Sequence, residues 1–129
     1  MAEQFLDTDA LVAAVDDAEF DRTPAVVANA HITGLSVARA LDAHGVPVVA
    51  IDQVGDGVAH PSDAVDFAGE VRYPLDDPAG FADDLAAIAD AAGEVVAFGC
   101  MDEWVHAFAD AGVENVHLPW ENHVSVLDK

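Results

Sequence analysis

The chain has 129 residues, of which 53% are hydrophobic, and it carries 25 acidic side chains against four basic ones for a formal net charge of −21. This size and apolar content suit one folded domain with its own core, and they exclude a disordered or fibrous protein. The acidic balance argues against nucleic acid as a partner, the lone Cys100 excludes an internal disulfide, and the absence of a long apolar stretch or an export signal predicts a cytoplasmic protein with no membrane partner.

The first half of the chain predicts a helix followed by a βαβ unit. Residues 1–22 are interpreted as an N-terminal helix and link, with Thr8 as the capping residue. Residues 25–30 form an apolar run of strand length, and Pro47 to Asp52 forms a second. Between them the apolar residues recur at helical spacing, and Gly45 supplies a C-terminal cap.

The second half repeats this alternation. A third strand is predicted at Glu70 to Tyr73, and Asp77 with Pro78 opens a helix that stops at Gly93. A fourth strand is predicted at 94–100, a helix at 102–111 that ends at Gly112, a short fifth strand at 115–119, and the start of a helix near residue 121. The fold class is therefore α/β, a single Rossmann-like doubly wound parallel sheet of about five strands in the order 3-2-1-4-5, with helices on both faces.

This strand order makes the first and fourth strands neighbours, so the turns that follow them meet at one edge of the sheet. Open α/β sheets bind ligands at such a switch point. The predicted substrate-binding residues are those of the two turns, Asn29, His31, Thr33, Gly34, Cys100, Asp102 and Glu103.

Several other chemistries fit the sequence poorly. The first turn lacks the first two glycines of a dinucleotide fingerprint, so Asp52 is interpreted as a loop cap in preference to a ribose ligand. A receiver domain would need an acidic pair after the first strand, and residues 52–57 lack the alternating acids of a calcium loop. Glu103 and His106 have helical metal-ligand spacing without the second pair that a di-iron site requires. Cys100 beside His31 is a thiolate-imidazole alternative to a cysteine that packs as a small hydrophobe.

Four segments occur in the order seen in one family of enzymes. They are residues 31–39, 60–62, 95–105, and 118–120 with 126–129. Over about residues 24–129 the chain resembles the pre-ATP-grasp domain that leads ATP-grasp carboxylate-amine ligases, particularly the D-aspartate ligase type and the carbamoyl phosphate synthetase-like proteins. The first turn, Asn29-Ala-His31, departs from the family's glycine-rich pattern.

The resemblance implies a division into residues 1–22 and a pre-ATP-grasp domain at 23–129 that stops where an ATP-grasp domain of the same polypeptide would begin. It implies a small carboxylate substrate in the turn residues named above, with Lys129 matching a lysine that contacts nucleotide phosphates. ATP and Mg²⁺ would belong to the full-length enzyme, with no cofactor, metal site or catalysis expected of this chain alone. A homodimer stays an open alternative, as does a self-sufficient small-molecule or nucleotide-binding module without catalysis.

The acids are dispersed along the chain instead of forming a tail. This distribution predicts a solvated acidic surface suited to a high-salt cytoplasm, because salt screens the repulsion between carboxylates. A cation-binding role is the alternative.

Overall fold

The computed structural model describes residues 5–28, 32–53 and 63–118. Within these ranges the chain alternates strands and helices. The elements are β1 (Phe5–Leu6), α1 (Thr8–Asp17), β2 (Ala25–Ala28), α2 (Ile32–Ala43), β3 (Val48–Asp52), β4 (Phe67–Glu70), α3 (Pro78–Ala92), β5 (Val95–Gly99), α4 (Asp102–Ala111) and β6 (Val116–His117). None of the helices in these ranges has the length and apolar character that crossing a membrane requires.

The strands form one sheet in the order β1-β4-β3-β2-β5-β6, and every pair in it is parallel. The predicted α/β class and doubly wound sheet are confirmed. The five predicted strands correspond to β2 to β6 and keep their predicted order. The difference is a sixth strand, β1, which pairs Phe5 with Ala68 and Leu6 with Gly69 at the edge beyond β4.

Alternate side chains of the strands pack into two separate hydrophobic cores, one on each face of the sheet. On one face Val26, Ile51 and Val95 pack with buried residues of α1, α3 and α4. On the other face Val27 and Ala50 pack with Ala38 of α2. The two clusters arise because successive strand side chains point to opposite faces. The predicted coverage of both faces is therefore observed, with three of the four described helices on one side.

Capping residues fix the helix ends largely as predicted. Asp77 accepts a hydrogen bond from Gly80 N at 2.9 Å, Pro78 begins α3, and Gly93 ends it with a φ of 92°. Gly112 ends α4 in the left-handed region. The prediction for the first helix was wrong in detail, because α1 begins at Thr8 and its cap is Asp7, whose carboxylate accepts from Ala10 N at 2.8 Å. The Thr8 hydroxyl instead donates to the Glu70 carbonyl at 2.7 Å.

The third predicted strand is displaced by three residues, from 70–73 to Phe67–Glu70. The reason lies in Arg72, whose backbone N–H donates to the Asp84 carboxylate at 2.8 Å. The Arg72 guanidinium also donates to Asp84, at 3.2 and 2.9 Å. Because Asp84 on α3 takes the backbone donor that a strand would offer to its neighbour, sheet pairing ends before Arg72. The ends of the first and fifth predicted strands and the helix near residue 121 lie outside the described residues.

Candidate ligand site at the carboxyl edge

The chain adds strands outward from β2 toward one edge of the sheet, with β3 and β4, and then toward the other edge, with β5 and β6. Strands β2 and β5 pair in parallel, with Ala28 opposite Gly99, and Cys100 N donates to the Ala28 carbonyl at 3.3 Å just beyond that pair. Helix α2 follows β2 onto one face of the sheet, and α4 follows β5 onto the other. The carboxyl ends of β2 and β5 therefore form the switch point of the sheet, and this edge with the first turns of α2 and α4 is called here the carboxyl-edge crevice.

Gly99 sets how closely α4 approaches the sheet. A Cβ at Gly99 would lie 2.5 Å from the backbone nitrogen of Val105 and 2.8 Å from its Cα, distances that no side chain tolerates. Absence of a side chain at the last residue of β5 thus lets the backbone of α4 pack directly against the strand. The close approach holds α4 against the end of β5.

The first turns of the two helices differ in charge. Helix α4 carries Asp102 and Glu103 in its first turn, whereas the first turn of α2 has no acid. Acidic side chains at a helix N-terminus are stabilised by the helix dipole. Asp102 is exposed and Glu103 is half-buried. The crevice therefore has a negative side, at α4, and an uncharged helix start, at α2.

Cys100 lies in this crevice as a half-buried thiol that packs against the core on the α2 face. Burial raises the pKa of Cys100 to about 11, because the charged thiolate loses water contact there. The thiol is consequently protonated at neutral pH. This favours the small-hydrophobe interpretation over the thiolate-imidazole pair, whose other member, His31, lies outside the described residues.

Asp52 is a buried carboxylate at the carboxyl end of β3, with 4% of its surface exposed. Its Oδ1 accepts a hydrogen bond from Gln53 N at 2.8 Å, and its backbone carbonyl accepts from Val71 N at 3.0 Å. These contacts agree with the interpretation of Asp52 as a loop cap.

The structure brings together some of the predicted site residues. Thr33 and the buried Gly34 lie in the first turn of α2, the helix that follows β2, and β2 pairs with the strand that precedes Cys100. Asn29, His31 and Lys129 lie outside the described residues. Glu103 lines a different surface, together with His106.

That surface is a cavity of about 450 Å³ between α3 and α4, called here the α3–α4 groove. Its α4 side is formed by Glu103, His106, Ala107, Asp110 and Ala111. Its other side is formed by the segment that leads into α3 and by the start of α3, including Pro74, Leu75, Pro78 and Phe81. The sequence predicts only the helical spacing of Glu103 and His106 and not the groove, because the two sides of the groove come from segments about 30 residues apart that carry no shared motif.

Four aromatic rings join the segments that form the groove. Phe81 lies 5.8 Å from Trp104 and 5.7 Å from Phe108, measured between ring centroids. Tyr73 lies 5.8 Å from Trp104. Because Phe81 and Trp104 are almost completely buried, these edge and tilted contacts join α3 to α4 in the core.

Among the described residues no three His, Cys, Asp or Glu side chains cluster in a way that could hold a metal ion. No protein-family model matches the chain, and no curated protein is significantly similar to it. The case for a function therefore depends on the resemblance of the motifs and on the geometry of the crevice.

Proposed function

We propose that this chain is the substrate-shaping domain of an ATP-dependent carboxylate-amine ligase of the ATP-grasp type, and that its carboxyl-edge crevice holds a small carboxylate substrate. The observation that carries the proposal is the switch point of the sheet, where β2 and β5 pair in parallel and are followed by α2 and α4 on opposite faces. Backbone N–H groups at a helix start are left without helical partners and bind anions.

The unequal charge of the two helix starts narrows the substrate class. A carboxylate is favoured beside α2, whose first turn lacks acids, and disfavoured beside Asp102 and Glu103. A positively charged ammonium group is favoured beside Asp102, since Glu103 lines the α3–α4 groove. An amino acid carries both groups, so we favour an amino acid substrate whose carboxylate faces α2 and whose ammonium faces α4.

We do not expect Mg-ATP to bind at this crevice, and Arg39 is exposed in the second half of α2. Arg22 donates to the His44 carbonyl at 2.6 Å, next to the turn that precedes β3, and Arg72 pairs with Asp84. Neither cation lies in the crevice. In the proposed function, nucleotide and Mg²⁺ are held by an ATP-grasp domain of the same polypeptide, to which Lys129 would contribute.

The substrate can be tested by titrating isotope-labelled protein with small amino acids and following the amide signals by NMR. We expect shifts at Gly34 and at residues 99–101. Asp102→Asn should weaken binding of an amino acid about threefold. It should not weaken binding of the matching carboxylic acid that lacks the amine. Asp16→Asn, which removes one charge from an exposed position of α1, is the matched control. Shifts confined to the opposite edge, near Gly45 and Gly93, would contradict the placement.

A second candidate is a self-sufficient small-molecule or nucleotide-binding module without catalysis. The observation that favours it is that the described sheet and helices already enclose two buried cores. Calorimetry with Mg-ATP in molar KCl separates the two. We expect no tight binding to residues 1–129, and a micromolar dissociation constant would replace the ligase proposal with the binding module.

A further inference from the structure

The α3–α4 groove has the size and lining of a ligand site that is separate from the carboxyl-edge crevice. Its volume of about 450 Å³ falls within the range of small-molecule sites. Cys100 and Gly34 of the crevice do not line it. An inference about the groove therefore does not depend on the proposed ligase function.

Most of the lining is apolar. Phe81 forms part of the wall, with Pro74 and Pro78 beside it and Ala107 opposite on α4. Leu75, at the rim, exposes 66% of its surface, which makes it one of the few large apolar side chains left in water among the described residues. A ligand with an apolar body would cover Leu75 and remove this surface from water.

The charged groups of the lining are concentrated on α4. Glu103, His106 and Asp110 follow one another at helical spacing and share one face of α4. Glu103 is half-buried, whereas Asp110 is exposed. No Lys or Arg among the described residues lines the groove.

An apolar wall beside two carboxylates selects one class of ligand by charge complementarity. We propose that the α3–α4 groove binds small organic ammonium ions, with the apolar body against Phe81, Leu75 and Ala107 and the ammonium group at Glu103. An organic anion of the same shape is excluded, because its charge would lie next to those carboxylates. A neutral isostere binds more weakly, because it leaves the ammonium position empty.

Three probes of one shape test this selection. Phenethylammonium, phenethyl alcohol and phenylacetate share an aromatic body and differ in the charge of the head group. In NMR titrations at about 0.5 M KCl, where surface charges are largely screened, we expect phenethylammonium to bind with a dissociation constant of roughly 1 mM, typical of a ligand this small. It should shift the amide signals of Phe81, Ala82 and residues 103–111. The alcohol should bind several-fold more weakly, and phenylacetate should leave these signals unchanged.

A matched pair of variants separates the groove from the general negative field of the protein. Glu103→Gln and Glu114→Gln remove one charge each by the same chemical change, but Glu114 is exposed beyond the end of α4 and does not line the groove. Glu103→Gln should weaken phenethylammonium binding about threefold to fivefold. Glu114→Gln should leave it unchanged. Ala107→Leu, which fills the groove without removing a charge, should abolish binding while circular dichroism shows the helices intact.

Several results would overturn the proposal. One is an equal loss of affinity in Glu103→Gln and Glu114→Gln, which would show attraction to net charge alone. Others are equal binding of all three probes, and absence of groove shifts at probe concentrations well above the expected dissociation constant. A failure here leaves the crevice untouched, because amino acid titration of the ligase proposal is followed at Gly34 and residues 99–101, outside the groove.

Discussion

The carboxyl-edge crevice and the α3–α4 groove share helix α4, yet they arise in different ways. The crevice follows from backbone topology, since β2 and β5 are neighbours and their helices leave to opposite faces. The groove follows from side chains, since Phe81 packs between Trp104 and Phe108 and the segment before α3 leaves a space beside α4. Removal of a side chain from the core between α3 and α4 should therefore change the groove more than the crevice.

The largest expected effect separates the two regions through Phe81. Phe81→Ala should lower the free energy of unfolding by about 3–5 kcal/mol, because it empties a buried position where three rings meet. The groove loses part of its wall, while the pairing of β2 with β5 is not involved. Chemical denaturation measures the loss, and NMR of the folded fraction should show signals near Gly34 and Cys100 unchanged.

Phe98→Ala serves as the control, since Phe98 is a half-buried residue of the α2 face. Its loss should be smaller than that of Phe81→Ala. An equal loss in the two variants would mean that the rings between α3 and α4 have no special part in holding the groove.

The next effect joins the two regions. Gly99→Ala should cost about 2–3 kcal/mol, because the new Cβ would meet the backbone of Val105 and push α4 from the sheet. Both the crevice and the groove should then change, and NMR signals on both sides of α4 should shift together. Gly93→Ala is a contrasting control, since a Cβ at Gly93 has open space and the cost there comes from its positive φ alone. Shifts limited to the crevice would argue against α4 as the element that links the two regions.

The same contrast explains what the sequence could predict. Alternation of apolar runs with helical spacing and capping residues such as Asp77 and Gly112 determines elements and topology, and these were predicted together with the adjacency of the turns after β2 and β5. Local signals failed where a distant residue decides the structure. Arg72 looked like part of a strand because its partner Asp84, on α3, is not visible in the local pattern.

Two further features were beyond local patterns. β1 has only two residues, too few for a periodicity, and it exists because β4 offers it an edge. The groove depends on which helix faces pack together, and α4 shows only an ordinary amphipathic pattern in the sequence. The sequence predicts Asp102 and Glu103 as site residues of the crevice. It does not predict that Glu103 lines the groove.

Salt should act on stability and on the groove in opposite directions. Raising KCl from about 0.1 M to about 2 M shortens the screening length to a few ångströms, so repulsion among the 25 acidic side chains falls and the melting temperature should rise by roughly 5 °C. Over the same range phenethylammonium should bind the groove less tightly, because screening also weakens its attraction to Glu103. Thermal melts and NMR titrations at each salt concentration measure the two trends.

Sucrose provides the control for salt, because it stabilises proteins by exclusion from their surface without screening charge. Sucrose should raise the melting temperature and leave ammonium binding unchanged. An unchanged melting temperature between the two KCl concentrations would contradict the interpretation of the acidic surface as an adaptation to salt.

The smallest effect concerns the crevice alone and depends on pH. Burial raises the pKa of Cys100 from 9.0 to about 11, so the folded protein holds the thiol proton more tightly than the unfolded chain. The resulting stabilisation is complete below about pH 9 and is lost as the pH rises toward 11. The stability of the protein should therefore fall more steeply over this range than that of Cys100→Ala, because all other titrating groups are common to both. Urea denaturation at several alkaline pH values measures the difference in slope.

At pH 8 the thiol should also react with iodoacetamide far more slowly than an unstructured cysteine peptide. Fast alkylation of the folded protein, together with an equal pH dependence of stability in the protein and in Cys100→Ala, would show that Cys100 is a thiolate. Cys100 would then be a reactive group of the crevice.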